Sequence, residues 1–238
     1  MKTVCFDLGN SRLKVSICID GNWQDEIVFS DLASLHSFIQ TEKFDQGILT
    51  SVIALDDTTR SIINDYRIHM LGVSSKLNFR IGVQKKETIG PDRLALLAAA
   101  SNQYRNQGVL VIALGTCITY NFLDQSGCFL GGAISPGMQM RFRALHEQTA
   151  LLPQAEYNWS IPMIGYDTKT NLQSGVFWGM VHELDGFIHQ YRNRYPNINV
   201  VLTGGHCMHF ADRLKNRIFA DPHYIYKGLY ALSQLNPV

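Results

Sequence analysis

Apolar residues fall along this chain in short runs of strand length, set between glycine- and asparagine-containing turns and longer stretches of helical spacing. Val4-Cys5-Phe6 reads as a buried strand that ends in the turn Asp7-Leu8-Gly9-Asn10-Ser11. Residues 13–19 alternate apolar with small or polar side chains, Asp20-Gly21-Asn22 supplies turn chemistry, and 23–29 completes three consecutive strands. Leu32, Leu35, Phe38 and Ile39 then recur at helical spacing within 30–40, with Ser30 or Asp31 available as a cap. A buried strand over 47–52 and helices over 58–71 and 93–104 follow, the last rich in Leu and Ala. Strands and helices alternate, so the fold class is α/β.

The second half repeats this plan. A strand over 109–112 leads into Ala113-Leu114-Gly115-Thr116-Cys117, and strands over 118–122 and 128–133 flank a turn at Asp124-Gln125-Ser126-Gly127. Ala113 stands where Asp7 stands in the first half, which predicts two domains of related fold, 1–107 and 108–238. Ser135-Pro136-Gly137 breaks the third strand, and helices are expected over 138–149, 174–191 and 222–235. A buried strand over 199–203 turns sharply at Gly204-Gly205.

Composition narrows the function classes. At 238 residues, 46% hydrophobic and 17% charged, the chain can bury a sizeable core. Lys plus Arg number 21 against 20 for Asp plus Glu, so no net positive field points to nucleic acid or a membrane surface. The N-terminus enters a strand at once, without the charged and apolar regions of a leader. No apolar run reaches the ~18 residues of a spanning helix, and the expectation is a soluble, cytoplasmic protein. Its cysteines, at 5, 18, 117, 128 and 207, are spread through apolar segments and read as reduced thiols rather than a disulfide framework.

The candidate chemistry lies in the two glycine turns and in Gly90-Pro91-Asp92-Arg93 between them. A glycine after a strand lets backbone N–H groups approach an anion, and a neighbouring hydroxyl or amide adds donors. An acid beside an arginine suits proton abstraction from an anionic substrate. The outline is a phosphotransferase. No Gly-x-x-x-x-Gly-Lys-Ser/Thr loop and no Gly-x-Gly-x-x-Gly stretch is present, which argues against P-loop and Rossmann sites. His206-Cys207-Met208-His209, and His182-Glu183 with His189, match no metal-ligand spacing and read as structural or surface groups.

Asp7-Leu8-Gly9-Asn10-Ser11, Gly90-Pro91-Asp92-Arg93, Leu114-Gly115-Thr116, Gly131 to Gly137, Gly165-Tyr166-Asp167-Thr168 and Thr203-Gly204-Gly205 occur in one order over nearly the whole chain. In this the sequence resembles the type III pantothenate kinases of the acetate and sugar kinase, heat-shock ATPase and actin superfamily. The resemblance implies two ribonuclease-H-like domains with a nucleotide cleft between them, and ATP-dependent phosphorylation of pantothenate, the first step of coenzyme A synthesis. It implies Asp92 as general base; Asp7 as the Mg²⁺ residue; Gly9, Asn10, Ser11, Lys14, Gly115 and Thr116 at the phosphates; Gly204 and Gly205 at the adenosine; and Gly90, Pro91, Arg93 and Thr168 at pantothenate. It further implies a homodimer and a monovalent cation, K⁺ or ammonium. Ala113 departs from the family pattern, which has an aspartate there that is associated with the monovalent cation. That departure leaves a second reading open, a nucleotide-binding regulatory module with weak or lost transfer; a third, independent of it, is a kinase for another small hydroxy acid or sugar.

Overall fold

Strands β1 (Lys2–Leu8) and β2 (Leu13–Ile19) run antiparallel about the Gly9 turn, with Asp7 directly opposite Lys14. Two short strands, β3 (Asn22–Trp23) and β4 (Ile27–Phe29), both pair with β2. The sequence suggested one continuous third strand over 23–29. The polar stretch Gln24-Asp25-Glu26 interrupts it, and the break carries Glu26 alongside Lys14.

Helix α1 (Leu32–Thr41) starts where the Asp31 carboxylate accepts the Ser34 N–H at 2.8 Å. Next come β5 (Gln46–Ser51), parallel to β1, and helix α2 (Asp57–Asp65), capped by Asp56 through the Thr59 N–H. The expected helix over 58–71 ends early. Arg67 adopts a left-handed φ of 50°, and β6 (Ile68–Met70) then pairs parallel with β5, because Ile68 can bury itself at the sheet edge. After β7 (Arg80–Ile81), helix α3 (Pro91–Gln103) has Pro91 in its first turn and buries every residue from Leu94 to Ala100.

The second sheet is built alike. Strands β8 (Val109–Leu114) and β9 (Cys117–Leu123) are antiparallel, and β10 (Cys128–Pro136) follows beside β9. Helix α4 (Met138–Glu147) and the long helix α5 (Thr168–Arg194) precede β11 (Asn199–Thr203), which is parallel to β8. A short helix α6 (Cys207–Ala211) and β12 (Phe219–Ala220), parallel to β11, complete this part, and helix α7 (Tyr224–Ser233) ends the described chain.

With β4, which pairs with β2, and β7, which pairs with β10, set aside, the strand orders β3-β2-β1-β5-β6 and β10-β9-β8-β11-β12 are the same order counted from each half's own first strand. Each is the ribonuclease-H-like arrangement that the duplication in sequence suggested, in an α/β chain.

The computed structural model describes residues 1–237. One compact unit comprises Met1–Arg105, Gly127–Leu130 and the chain from His223 onward, and the other comprises Asn106–Ser126 and Gly131–Pro222. The split therefore differs from contiguous domains over 1–107 and 108–238. Helix α7 packs in the first unit, against α3, because a small-residue stripe lets the two backbones meet. A β-carbon at Gly228 would lie 1.7 Å from the Ala95 carbonyl oxygen. Cys128 and Phe129 likewise cluster with the first unit, where they pair with β7.

Alternation along β1 sorts its side chains. Val4, Phe6 and Leu8 join Val15, Leu35, Ile39, Ile62 and Ile63 in the core beneath α1 and α2. Asp7 is on the opposite face of the sheet, where α7 packs on β1 and both α3 and α7 pack on β5. In the second unit Leu110, Ile112 and Leu114 pack with Tyr120, Phe122 and the apolar stripe of α5. Among the described residues no helix is long and apolar enough to cross a membrane.

Candidate active site

The first unit brings together Asp7, Lys14, Gly90, Pro91, Asp92 and Arg93. Asp7 is in register with Thr50 on β5, whose buried hydroxyl has no hydrogen-bond partner among the described residues. Burial raises the Asp7 carboxyl to about 7; Lys14 opposes this, and the negative charges of Asp92 and Glu26 add to it.

Asp92 is in the first turn of α3, where its carboxylate accepts the backbone N–H groups of Asp92 and Arg93. Burial also raises the Asp92 carboxyl, against the Arg93 N–H and guanidinium charge that pull it down. Gly90 matters here for space, since a β-carbon would stand 2.4 Å from Asp92 Oδ1. Burial lowers the Arg93 guanidinium from its ordinary value, with Asp92 opposing. Its Cζ lies 5.4 Å from the centre of the Phe129 ring.

Gly9 spends its N–H on the Arg12 carbonyl at 3.0 Å, closing the turn, and Asn10 and Ser11 in it are exposed. The Gly115 turn is built likewise: Gly115 N–H donates to the Cys117 carbonyl at 3.1 Å, and Thr116 is exposed. The two glycines thus shape their turns, and their own N–H groups are already engaged.

Behind the Gly115 turn, Gly137 donates its N–H to the Thr116 carbonyl at 3.0 Å, and a β-carbon there would meet the Gly115 carbonyl oxygen at 2.3 Å. Gly204, at φ +93°, fits against β8, where a β-carbon would lie 2.4 Å from the Leu114 carbonyl oxygen. Gly205 is exposed and open. Thr168 is the first residue of α5, beginning after a capping box in which Asp167 and Thr170 satisfy each other's backbone N–H groups. With Arg141, Asn171 and the apolar side chains of Met140, Leu152 and Leu172, it lines a cavity of about 720 Å³ within the second unit.

Sequence reasoning missed Glu26, Tyr226 and Thr50. Lys14, expected to point at phosphate, has its Nζ 2.9 Å from Glu26 Oε1. Burial alone would raise the Glu26 carboxyl, but hydrogen bonds from Lys14 and Tyr226 and the charges of Lys14 and His223 hold it below the ordinary range. Two acids inside an otherwise apolar strand candidate were the signal that could have found it.

The donor set fits a divalent cation of the Mg²⁺ kind. Asp7 is a largely buried carboxylate with no hydrogen bond or ion pair among the described residues, and Mg²⁺ takes one or two carboxylates plus water and phosphate oxygens. No cluster of three or more His, Cys, Asp or Glu able to hold a metal occurs among the described residues.

A family model described as type III pantothenate kinase matches residues 3–190. A type III pantothenate kinase of Bacteroides fragilis is 36% identical, covering 97% of this chain and 96% of its own. One of Flavobacterium johnsoniae is 35% identical, with 94% and 93% covered. Among solved structures, a Campylobacter jejuni protein described as a candidate Baf family transcriptional activator superposes with a TM-score of 0.66 at 18% identity, over 98% of each chain. An inorganic polyphosphate/ATP-glucomannokinase from Arthrobacter has a TM-score of 0.50 at 13% identity, over 98% of this chain and 97% of its own. At those identities the two likenesses concern the fold.

Proposed function

The chain belongs to the type III pantothenate kinase family, an enzyme family that phosphorylates pantothenate with ATP in coenzyme A biosynthesis, and from that premise we propose how its residues divide the work. Asp92 is the general base: it takes the proton of the pantothenate primary hydroxyl as that oxygen bonds to the γ-phosphorus and ADP leaves. The observation that carries this reading is a carboxyl at the start of α3 that burial raises above its ordinary value, in the same unit as Asp7 and near enough for its charge to act on it. Asp7 would hold Mg²⁺, and a cation there would offset the phosphate charge.

Asn10, Ser11 and Thr116, on turns shaped by Gly9 and Gly115, donate to phosphate oxygens. Lys14 contributes charge nearby. Gly204 and Gly205 let the chain approach the adenosine, and Gly90, Pro91, Arg93 and Thr168 contact pantothenate, with the guanidinium suited to its carboxylate. Ala113 offers no carboxylate, so transfer proceeds without K⁺ or ammonium. The enzyme works in the cytoplasm as a homodimer, and Leu151 and Ile164, exposed at 93% and 84%, are residues that a second copy would cover.

The test is ADP release coupled to a reporter, with ATP, Mg²⁺ and pantothenate, beside a panel of other hydroxy acids and sugars. Pantothenate-dependent turnover is expected. ATP binding with no turnover on any acceptor would favour the regulatory module instead.

A further inference from the structure

A lysine directly across from a carboxylate on an antiparallel pair stands within reach of it. Lys14 stands in that position toward Asp7, yet it is engaged elsewhere. Its Nζ is 2.9 Å from Glu26 Oε1, with the two side chains 20% and 16% exposed. The other oxygen of Glu26 accepts the Tyr226 hydroxyl at 2.8 Å, and His223 Nδ1 is 3.7 Å from that same oxygen. Tyr226 is itself immobilised: it is 1% exposed, and its ring centre lies 6.3 Å from that of Trp23 and 6.2 Å from that of His223. A chain of contacts therefore runs from helix α7 through Glu26 to Lys14, all within the first unit.

We propose that Glu26, anchored by Tyr226, is a positioning residue that holds the Lys14 ammonium off Asp7 and so leaves the Asp7 carboxylate open to the divalent cation. The inference rests on the reading of Asp7 as the cation-binding carboxylate. Its logic is competition. An ammonium and a divalent cation cannot both sit against one largely buried carboxylate without strong repulsion, so whichever group restrains the lysine sets how readily the metal enters. The break between β3 and β4 is what brings the Glu26 carboxylate within reach of Lys14.

The experiment titrates Mn²⁺ into the full chain at fixed ADP and reads the free ion by its paramagnetic resonance, with protein-free ADP as baseline. Wild type should bind, and Asp7→Asn should lose the added affinity. Glu26→Gln should weaken binding about tenfold by releasing Lys14 onto Asp7, Tyr226→Phe should weaken it less, and in a Lys14→Met background Glu26→Gln should cause no further loss, because no ammonium is left to release. Melting curves on the same samples report folding. Unchanged binding in Asp7→Asn overturns the assignment of Asp7, and the inference with it. Wild-type binding in Glu26→Gln, or an equal further loss when Glu26→Gln is added to Lys14→Met, overturns the role of Glu26 alone.

Discussion

Asp7 and Ala113 occupy the same station in their two sheets: Asp7 is in register with Thr50 on the parallel strand β5, and Ala113 with Thr203 on the parallel strand β11. The duplication is thus kept to the residue, down to a threonine beside each, while the carboxylate survives in one half only. If the missing carboxylate is what a monovalent cation needs, turnover should be equal, within about twofold, in potassium, ammonium and a bulky organic cation. Ala113→Asp should then introduce a potassium response. Strong activation of the wild type by potassium would show that other oxygens hold the ion.

Asp7 should weaken the fold it belongs to. The unfolded chain releases its proton near 3.8 and the folded chain near 7. Below about pH 4 both states hold the proton, and the residue has no effect. Between there and pH 7 the unfolded state alone ionises, so stability falls, by at most roughly 4 kcal/mol, and stays level above. Without divalent cation, Asp7→Asn should melt higher than wild type at pH 8, equally at pH 3.5, and be inactive. Denaturation at the two pH values decides it, and an asparagine variant no more stable at pH 8 would refute the burial argument.

Asp92→Asn should lower kcat by two to four orders of magnitude while nucleotide binding persists, as expected for loss of a general base. Because the Asp92 carboxyl is raised by burial, the acid limb of kcat/KM should lie above the ordinary carboxylate range, with rate increasing as pH rises through it. Near-normal turnover in the variant would remove Asp92 from the chemistry.

Gly90→Ala offers a milder displacement of the same group. The new methyl would press on Asp92 Oδ1, the free end of a side chain, so the carboxylate should swing aside and the fold remain. The expected outcome is a kcat reduced about tenfold or more, with melting temperature shifted by no more than a few degrees. A full loss of folded protein would mean instead that the helix start cannot accept a β-carbon.

Gly228→Ala should act on stability. Its methyl would collide with the backbone of α3 at Ala95, which cannot move aside as a side chain can. A loss of about 3 kcal/mol is expected, read from the urea midpoint. An unchanged midpoint would show that α3 and α7 do not abut there.

Much of this was legible in the chain. Period-two runs such as Leu13–Ile19 and the Leu/Ala stretch at the start of α3 state their own structure, and the echo of residue 7 at residue 113 gave the duplicated topology. What escaped reading depends on partners distant in sequence. Nothing local marks Ile68–Met70 as a strand until β5 lies beside it, and the apolar pattern of α7 does not say which sheet it will cover. Glu26 and Tyr226 become a pair only across the span between β4 and α7. Thr168 was singled out as a ligand contact, yet much of its setting is explained by the way α5 begins.

The membership of α7 in the first unit bears on how the protein is made. A nascent chain emerging from the ribosome presents β1 to α3 early, but it cannot cover that sheet until residues beyond 223 have left the exit tunnel. The second unit, contiguous but for residues 127–130 at the start of β10, lies between in sequence and is translated whole before then. The part bearing Asp7 and Asp92 should accordingly mature last, and shortening the chain before Tyr226 would leave every quoted sequence motif intact while removing the helix that anchors Glu26.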